Sequence, residues 1–493
     1  MSFSDIVAGA ETVGCHPWPR HILSAEAWSA LSRSLPGSAL TLLALWADTQ
    51  QVHALFLDAA SAQVLPVSVT VTHGAYPALS PTCPGAALYE RMIADLWGHI
   101  AIDSTGSGAW LDHGHWPLSR PMAARHDVAR PADPADDLLD ADATLMELPL
   151  GPIHGLVEPA ARLRLLVRDG VITAATGQAG FTHKGTLILM RAKSPRTAAR
   201  FAARLAADAT VAHAIAFATA AEHAVGAVAP PRAAALRALM LEVERIAVHL
   251  DTLAEVAALA DAATTATLCR ALRERMLRAT EAAFGHRLMM DCVVPGGVAL
   301  DLEERGEGML LRALDEVDAA VGALHRQHDG RLLAGRLRGR GPANLAWVTL
   351  YGAGGPVGRA AGRGFDARML SADLPIVPVI GRHDDALDRQ HLRIAEIANS
   401  VGLIRGVLQA LPAGPLTVSL PSDSGEGIGC AESARGDIWH WLRLDHGQIA
   451  ACFPRDPAWA LWPVTEAALT HADAEDADLI RASFALTVSG MDL

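Results

Sequence analysis

The sequence predicts an α+β N-terminal domain followed by a mainly α-helical domain with small β elements. Three observations predict it. Alternating apolar segments crowd the first part of the chain, and a stretch rich in Pro and Asp without any period interrupts it near residue 125. After that stretch, long segments carry apolar residues at three- and four-residue spacing.

In chain order, residues 25–34 and 85–97 have a helical period, while residues 39–47 and 51–57 alternate like strands of one small sheet. Residues 1–125 are therefore expected to form the α+β domain. Residues 126–143 hold Pro131, Pro134, Asp133, Asp136, Asp137, Asp140 and Asp142, which reads as an acidic linker. Residues 144–493 make up the second domain. Its helices are expected over 196–225, 231–260, 264–284, 306–328 and 384–411, with Pro231 opening one and Gly285 closing another in the usual capping asymmetry. Short strands are expected near 161–174, 415–419 and 438–451, the last turning at Asp445-His446-Gly447 as a hairpin. The apolar stretch 209–221 is too short to cross a membrane, contains His213 and fits a buried core helix.

Composition excludes several classes. A chain of 493 residues, 51% of them hydrophobic, has material for large cores and two to four domains. Its 54 acidic against 41 basic side chains speak against a nucleic-acid partner, since sequence-independent binding needs basic patches. Lys184 and Lys193 are the only lysines, and the Arg excess, spread along the whole chain, reads as genome composition. Cysteines 15, 83, 269, 292, 430 and 452 are scattered and form no Cys-x-x-Cys, which removes the signature of zinc ribbons, ferredoxin-type clusters and redox dithiols. Reduced, mostly buried thiols in a cytoplasmic protein without a signal peptide or membrane span are expected.

Two polar groupings stand out. Glu242, Glu244, Arg245 and His249 lie on one helix at three- and four-residue spacings, which suits either a buried ion network or a proton path that Glu222 and His223 could extend. Asp112, His113 and His115 are metal-ligand types without a second ligand pair at a defined distance, and read as a surface loop.

Longer blocks recur in a fixed order. They are Gly151-Pro152-Ile153-His154, residues 180–185 (Gly-Phe-Thr-His-Lys-Gly), 242–250, 285–287 running to 295–298, 358–362, 432–437 and 455–463. From Gly151 onward the chain resembles the large subunit of energy-converting, formate-hydrogenlyase-type NiFe hydrogenases and its complex I counterpart, the 49-kDa subunit. Residues 76–80 and 88–99, with Asp112 to Leu118 at a closing Trp-Pro loop, resemble the 30-kDa subunit of complex I, and formate-hydrogenlyase large subunits carry that domain fused ahead of the catalytic one. The fold implied is thus a 30-kDa-like α+β domain followed by a hydrogenase large-subunit-like, 49-kDa-like domain.

The resemblance extends to the metal-binding segments. Residues 204–213 and 483–493 resemble those that supply the two Cys-x-x-Cys pairs of the hydrogenases, and here the four ligand slots hold Ala206, Ala209, Thr487 and Gly490. A methyl, a hydroxymethyl or a hydrogen cannot replace a thiolate at a soft metal. The implied chain binds no metal or other cofactor of its own, and hydrogen activation is not expected.

In complex I the corresponding cavity takes a quinone headgroup between a His on a β-turn and a Tyr. The resemblance places His183, followed by Lys184, at that His and Ala207 at the Tyr, so His183 is the candidate for quinone binding or proton delivery, the alternative being a plain turn cap. Arg204, with His213 nearby, matches the place beside the four-iron four-sulfur cluster of the partner small subunit; the alternative is an ordinary surface ion pair. Met289 stands where complex I has a redox-linked His.

The implied role is a metal-free subunit of a membrane-bound respiratory-type complex coupled to proton or ion translocation. Its partners would be an iron–sulfur small subunit like the complex I 20-kDa subunit and antiporter-like membrane subunits, on the inner face of the cell membrane. Two alternatives are a quinone-reducing, NADH:quinone oxidoreductase-like module using His183 and a purely structural scaffold.

Overall fold

The computed structural model describes residues 6–58, 61–123, 127–128, 145–153, 159–370 and 376–493. The acidic linker read at 126–143 lies outside the described residues except for 127–128, and His154 lies outside them as well. The architecture is mixed α/β, with 45% of the described residues helical.

Near the N-terminus, Leu40–Ala47, Gln51–Asp58 and Gln63–Thr70 form an antiparallel meander. Arg20–Leu23 adds to it in parallel beside Gln63–Thr70, and Glu11–Val13 closes that edge. Helix Ala25–Ser34 starts where the Ser24 hydroxyl accepts the Ala27 N–H, and helix Ala87–Trp97 stops at Gly98 with φ 76°. The same region reaches across the molecule. Cys15–His16 pairs in parallel with strand Gly425–Ser433, and Arg20 forms a buried bidentate ion pair with Glu426 at 2.8 and 2.9 Å. A continuous hydrophobic core runs from Trp28 and Trp46 to Trp439, Trp441 and Trp459.

Strands Gly425–Ser433, Gly436–Asp445 and Gln448–Arg455 form the rest of that second sheet. Their hairpin turns at His446 and Gly447, with φ 46° and 72°, the two positive values a tight primed turn requires. Helix Thr210–Ala224 lies flat on this sheet, and the contact has a simple steric cause. Gly425, Gly427 and Gly429 alternate along the strand, and a Cβ on any of them would strike backbone atoms of Ala216, Ala220 or Ala224. Period two on the strand meets period four on the helix, and both faces are stripped to backbone.

Around this centre, helices Pro231–Leu259, Ala263–Phe284, Glu304–Asp329 and Ala386–Gln409 form a bundle with its own apolar cluster. These four keep close to the spans expected from periodicity. Strands Met146–Leu150, Arg162–Arg168 and Val171–Gln178 make an antiparallel sheet where one strand region was expected.

Three expectations are corrected. The helix expected over 196–225 is two helices, Pro195–Ala202 and Thr210–Ala224, with a short 3-10 turn at Ala207–Ala209. The break persists because the Glu244 carboxylate accepts the Val211 and Ala212 N–H groups at 2.6 and 3.1 Å, capping a new N-terminus from another helix. The strand expected at 415–419 is one isolated bridge, Thr417 to Gly297. The loop around Asp112 is not superficial: Asp112 and His113 are 2% and 9% exposed, and His113 Nε2 bonds the Ala179 carbonyl at 2.7 Å.

Two glycine substitutions separate steric need from helix propensity. Gly429→Val should destabilise the protein by about 3 kcal/mol or more, since the helix above it must lift. Gly402→Ala, on an exposed helix face with no atom within 4 Å of the new methyl, should stabilise it by about 0.5–1 kcal/mol. Denaturant titrations read both; equal effects of one sign would contradict the packing described.

Candidate functional site

Lys184 joins the two segments that hold Ala206, Ala209, Thr487 and Gly490. Its Nζ donates to the Leu205 carbonyl at 3.2 Å and to the Ser489 carbonyl at 2.7 Å, so 205–209 and 487–490 face one another. Segment 487–493 is held further by Asp492, whose carboxylate accepts the Gly180 N–H at 2.7 Å and the Thr182 hydroxyl at 2.5 Å. The Thr186 N–H donates to the Leu493 carbonyl at 2.9 Å. Ala206 and Ala209 are buried, as is Gly490, while Thr487 is half-buried.

A charged cluster occupies the space beside these positions. Arg435 lies 2.6 Å from Asp208 and makes a bidentate pair with Asp456 at 2.9 and 3.0 Å. Asp456 also contacts His213 Nε2 at 3.1 Å, and His213 Nδ1 lies 3.0 Å from His440 Nε2. Burial opposes ionisation of Asp456, but Arg435 and His213 outweigh it and hold the carboxyl below its usual range. Burial, then neighbouring His213, pushes the His440 imidazole well below 6.5, so it is neutral.

The fit of a nickel–iron centre follows from these residues. The slots carry no sulfur, and a Cβ at position 490 would overlap the Asp456 carboxylate. Asp456 stands where a side chain at 490 would have to enter. The residues present do not fit the bimetallic group, and among the described residues no cluster of three or more His, Cys, Asp or Glu side chains is arranged to hold a metal ion. The six thiols are free, and all but the half-buried Cys430 are buried.

His183 sits at the rim. Its ring stacks on Trp116 with centroids 4.4 Å apart, and Nδ1 lies 2.6 Å from the Asp492 carbonyl. A carbonyl accepts, so Nδ1 carries the proton and Nε2 of the neutral ring is an acceptor. Burial lowers the His183 pKa, which favours that neutral form. Exposed Phe181, Ile188 and Leu189 lie on the same turn and the helix after it, and Ala207 is exposed as well.

Arg204 and His213 lie in different surroundings. Arg204, 44% exposed, makes a bidentate pair with Asp291 at 2.7 Å on both oxygens, whereas His213 is fully buried against Asp456.

Glu242, Arg245 and His249 meet a wider network than their spacing shows. Arg245 Nε is 3.2 Å from Glu242, while Glu242 also takes Arg368 at 2.9 Å and the Ser400 hydroxyl at 2.6 Å. His249 Nε2 is 2.9 Å from Glu396, which also binds Arg359, and Arg359 reaches Glu432 and Asp366. Arg245 also lies 3.7 Å from Glu396, so Arg245 and His249 converge on that carboxylate and not on each other. Glu222 pairs with Arg237 and accepts the Gly296 N–H, and His223 bonds the Ile428 carbonyl.

Sequence reasoning did not single out Arg359, Arg368, Glu396, Glu432, Arg435, His440, Asp456 or Asp492. A signal was available for several of them: Arg359, Glu432, Arg435 and Asp456 lie inside the blocks 358–362, 432–437 and 455–463, and charged residues in otherwise apolar blocks mark buried pairs.

Comparison with known proteins places this geometry. The family model for the respiratory-chain NADH dehydrogenase 49-kDa subunit matches residues 260–423. An NADH-quinone oxidoreductase subunit of Acidiphilium cryptum (strain JF-5) is 30% identical over 285 residues, 55% of this chain and 68% of its own. Formate hydrogenlyase subunit 5 of Escherichia coli (strain K12) is 26% identical over 445 residues, 84% of this chain and 76% of its own. A chain in the structure of the membrane-bound sulfane sulfur reductase, an archaeal respiratory membrane complex, has the same fold, with TM-score 0.65 at 22% identity over 72% of this chain and all of that one.

Glu244 gives the site a measurable pH dependence. Burial raises its pKa from 4.5 to about 8 despite the two N–H donors that favour the anion. The folded state then binds a proton more tightly than the unfolded state, so stability falls as pH rises between those values. Glu244→Gln should remove this slope. The stability of the wild type relative to the variant should drop by on the order of a few kcal/mol between pH 5 and 8, read by urea titration; a difference constant with pH would contradict the assignment.

Proposed function

Since the chain belongs to the family of the complex I 49-kDa subunit, we propose that it is a metal-free arm subunit of a membrane-bound respiratory-type complex resembling formate hydrogenlyase and complex I. It packs against an iron–sulfur small subunit and, through that arm, against antiporter-like membrane subunits on the inner face of the cell membrane. Its output is proton or ion translocation, and residues 1–125 act as the fused 30-kDa-like domain. The observation that carries this reading is the buried Arg435–Asp456 pair, closed over by Gly490, where the relatives' thiolates would converge. Such a centre keeps the family's scaffold and gives up hydrogen activation. Among the described residues no single helix is long and apolar enough to cross a membrane, and the proposal places attachment in the partners.

Arg204 is assigned to the small-subunit face. Its guanidinium is always charged and stays 44% exposed, so it is available to that face if its pair with Asp291 opens as the partner's cluster approaches.

A second reading is favoured by the rim of the site. His183 is stacked under Trp116 beside exposed Phe181, Ile188 and Leu189, an apolar setting suited to a quinone ring. Neutral His183 would accept a hydrogen bond from a quinol through Nε2, and donation to a quinone oxygen would need the imidazolium. In that case the subunit passes electrons from the partner cluster to quinone.

One preparation tests both readings. The complex purified through this chain should contain the iron–sulfur small subunit in equal amount; recovery of the chain alone would sink the assembly role. Quinone reduction by that complex should fall about a hundredfold in His183→Ala if this His exchanges a proton with the quinone, the scale typical of a lost acid–base group. Unchanged turnover removes the catalytic role of His183 and leaves coupling or scaffolding.

A further inference from the structure

A cleft of about 410 Å³ opens at the far end of the helix bundle, between helix Glu304–Asp329, the loop after helix Arg331–Leu337, and the start of helix Ala386–Gln409. That volume suits a small organic ligand. Its floor is apolar, formed by Leu387, Leu392 and Ala395, and Val379 and Ile380 flank the mouth. Ile380 and neighbouring Val377 are exposed at 43% and 82%, so the apolar surface continues outward from the cleft.

Its polar rim carries two arginines and two aspartates. Arg338, Arg382, His325 and His383 line the opening, with Asp385 and Asp388 as the carboxylates facing them. Those carboxylates are already engaged by backbone. Asp385 accepts the N–H of Gly339 at 2.7 Å and of Asp388 at 2.9 Å, and Asp388 accepts the N–H of Arg382 at 2.7 Å and of His383 at 3.0 Å. They build the walls by capping the helix and fixing loop 381–383, so their hydrogen bonds go to backbone N–H groups and not to the two guanidinium groups. His391, also in the lining, is paired with Asp329 at 3.2 Å. Among the described residues neither Arg338 nor Arg382 forms an ion pair.

We propose that this cleft binds an amphiphilic anion, a phosphate or carboxylate head between Arg338 and Arg382 with a short apolar body on Leu387 and Leu392. Planar guanidinium groups suit either head, because each oxoacid offers paired acceptors to the fork of N–H donors. The head can come from a membrane lipid or from a soluble acid, and the chemistry of the cleft is common to both. The site is independent of the Asp456 centre and of the family role proposed above.

Calorimetric titration of the full chain with octyl phosphate, octyl glucoside and inorganic phosphate tests it. One octyl phosphate per chain is expected, bound at least about tenfold more tightly than either of the other two probes. Arg338→Gln and Arg382→Gln should each weaken it about threefold or more without altering the thermal unfolding midpoint, since both side chains are exposed. Flotation with phosphatidylglycerol vesicles assigns the source: binding that Arg382→Gln abolishes identifies a lipid head, and octyl phosphate binding without flotation identifies a soluble acid. Octyl glucoside bound as tightly as octyl phosphate, inorganic phosphate bound as tightly as octyl phosphate, or unchanged affinity in both variants would overturn the proposal.

Discussion

The contact between Arg435 and Asp456 sets what the rest of the molecule can do. Two opposite charges buried at this depth persist only when their remaining hydrogen-bonding capacity is met, because desolvation costs several kcal/mol per ion. Here Asp456 is satisfied by Arg435, His213 and the Ala458 N–H, and Arg435 by Asp208 as well. Three chain regions, around 208–213, 435 and 456–458, must therefore meet at one point. Gly490 is part of the same solution, since its missing side chain is what lets the carboxylate stand there.

Around that point the fold is built for close approach. An alanine-rich helix lies on a strand whose inward positions are glycines, so backbone packs on backbone, and the sheet below it recruits a strand from the N-terminal region. Arg20, Arg443 and Arg455 then tie that region to the centre through Glu426, Asp48 and the Leu43 carbonyl.

Legibility in the sequence followed the range of the interaction. Helices 231–259, 263–284 and 386–409 were readable because periodicity and end caps are local properties. The break at 203–209 was not, since it is imposed by Glu244 and Lys184 from other elements. Strand Gly425–Ser433 escaped notice because glycine is a poor strand former, and its reason for being there lies on the facing helix. That Ala206, Ala209, Thr487 and Gly490 carry no sulfur could be read directly from the sequence. The side chains that surround them could not, because the pairing of Arg435 with Asp456 and of His213 with both Asp456 and His440 exists only in three dimensions. The same holds for His113, whose ring is held by the Ala179 carbonyl from a distant strand end.

The central claim is that an ion pair now fills the place of a bimetallic centre. Nickel K-edge absorption on the intact complex, purified from nickel-supplemented cells, measures it most directly. The account predicts no nickel edge above that of the buffer. A stoichiometric edge from nickel bound by this chain would contradict it.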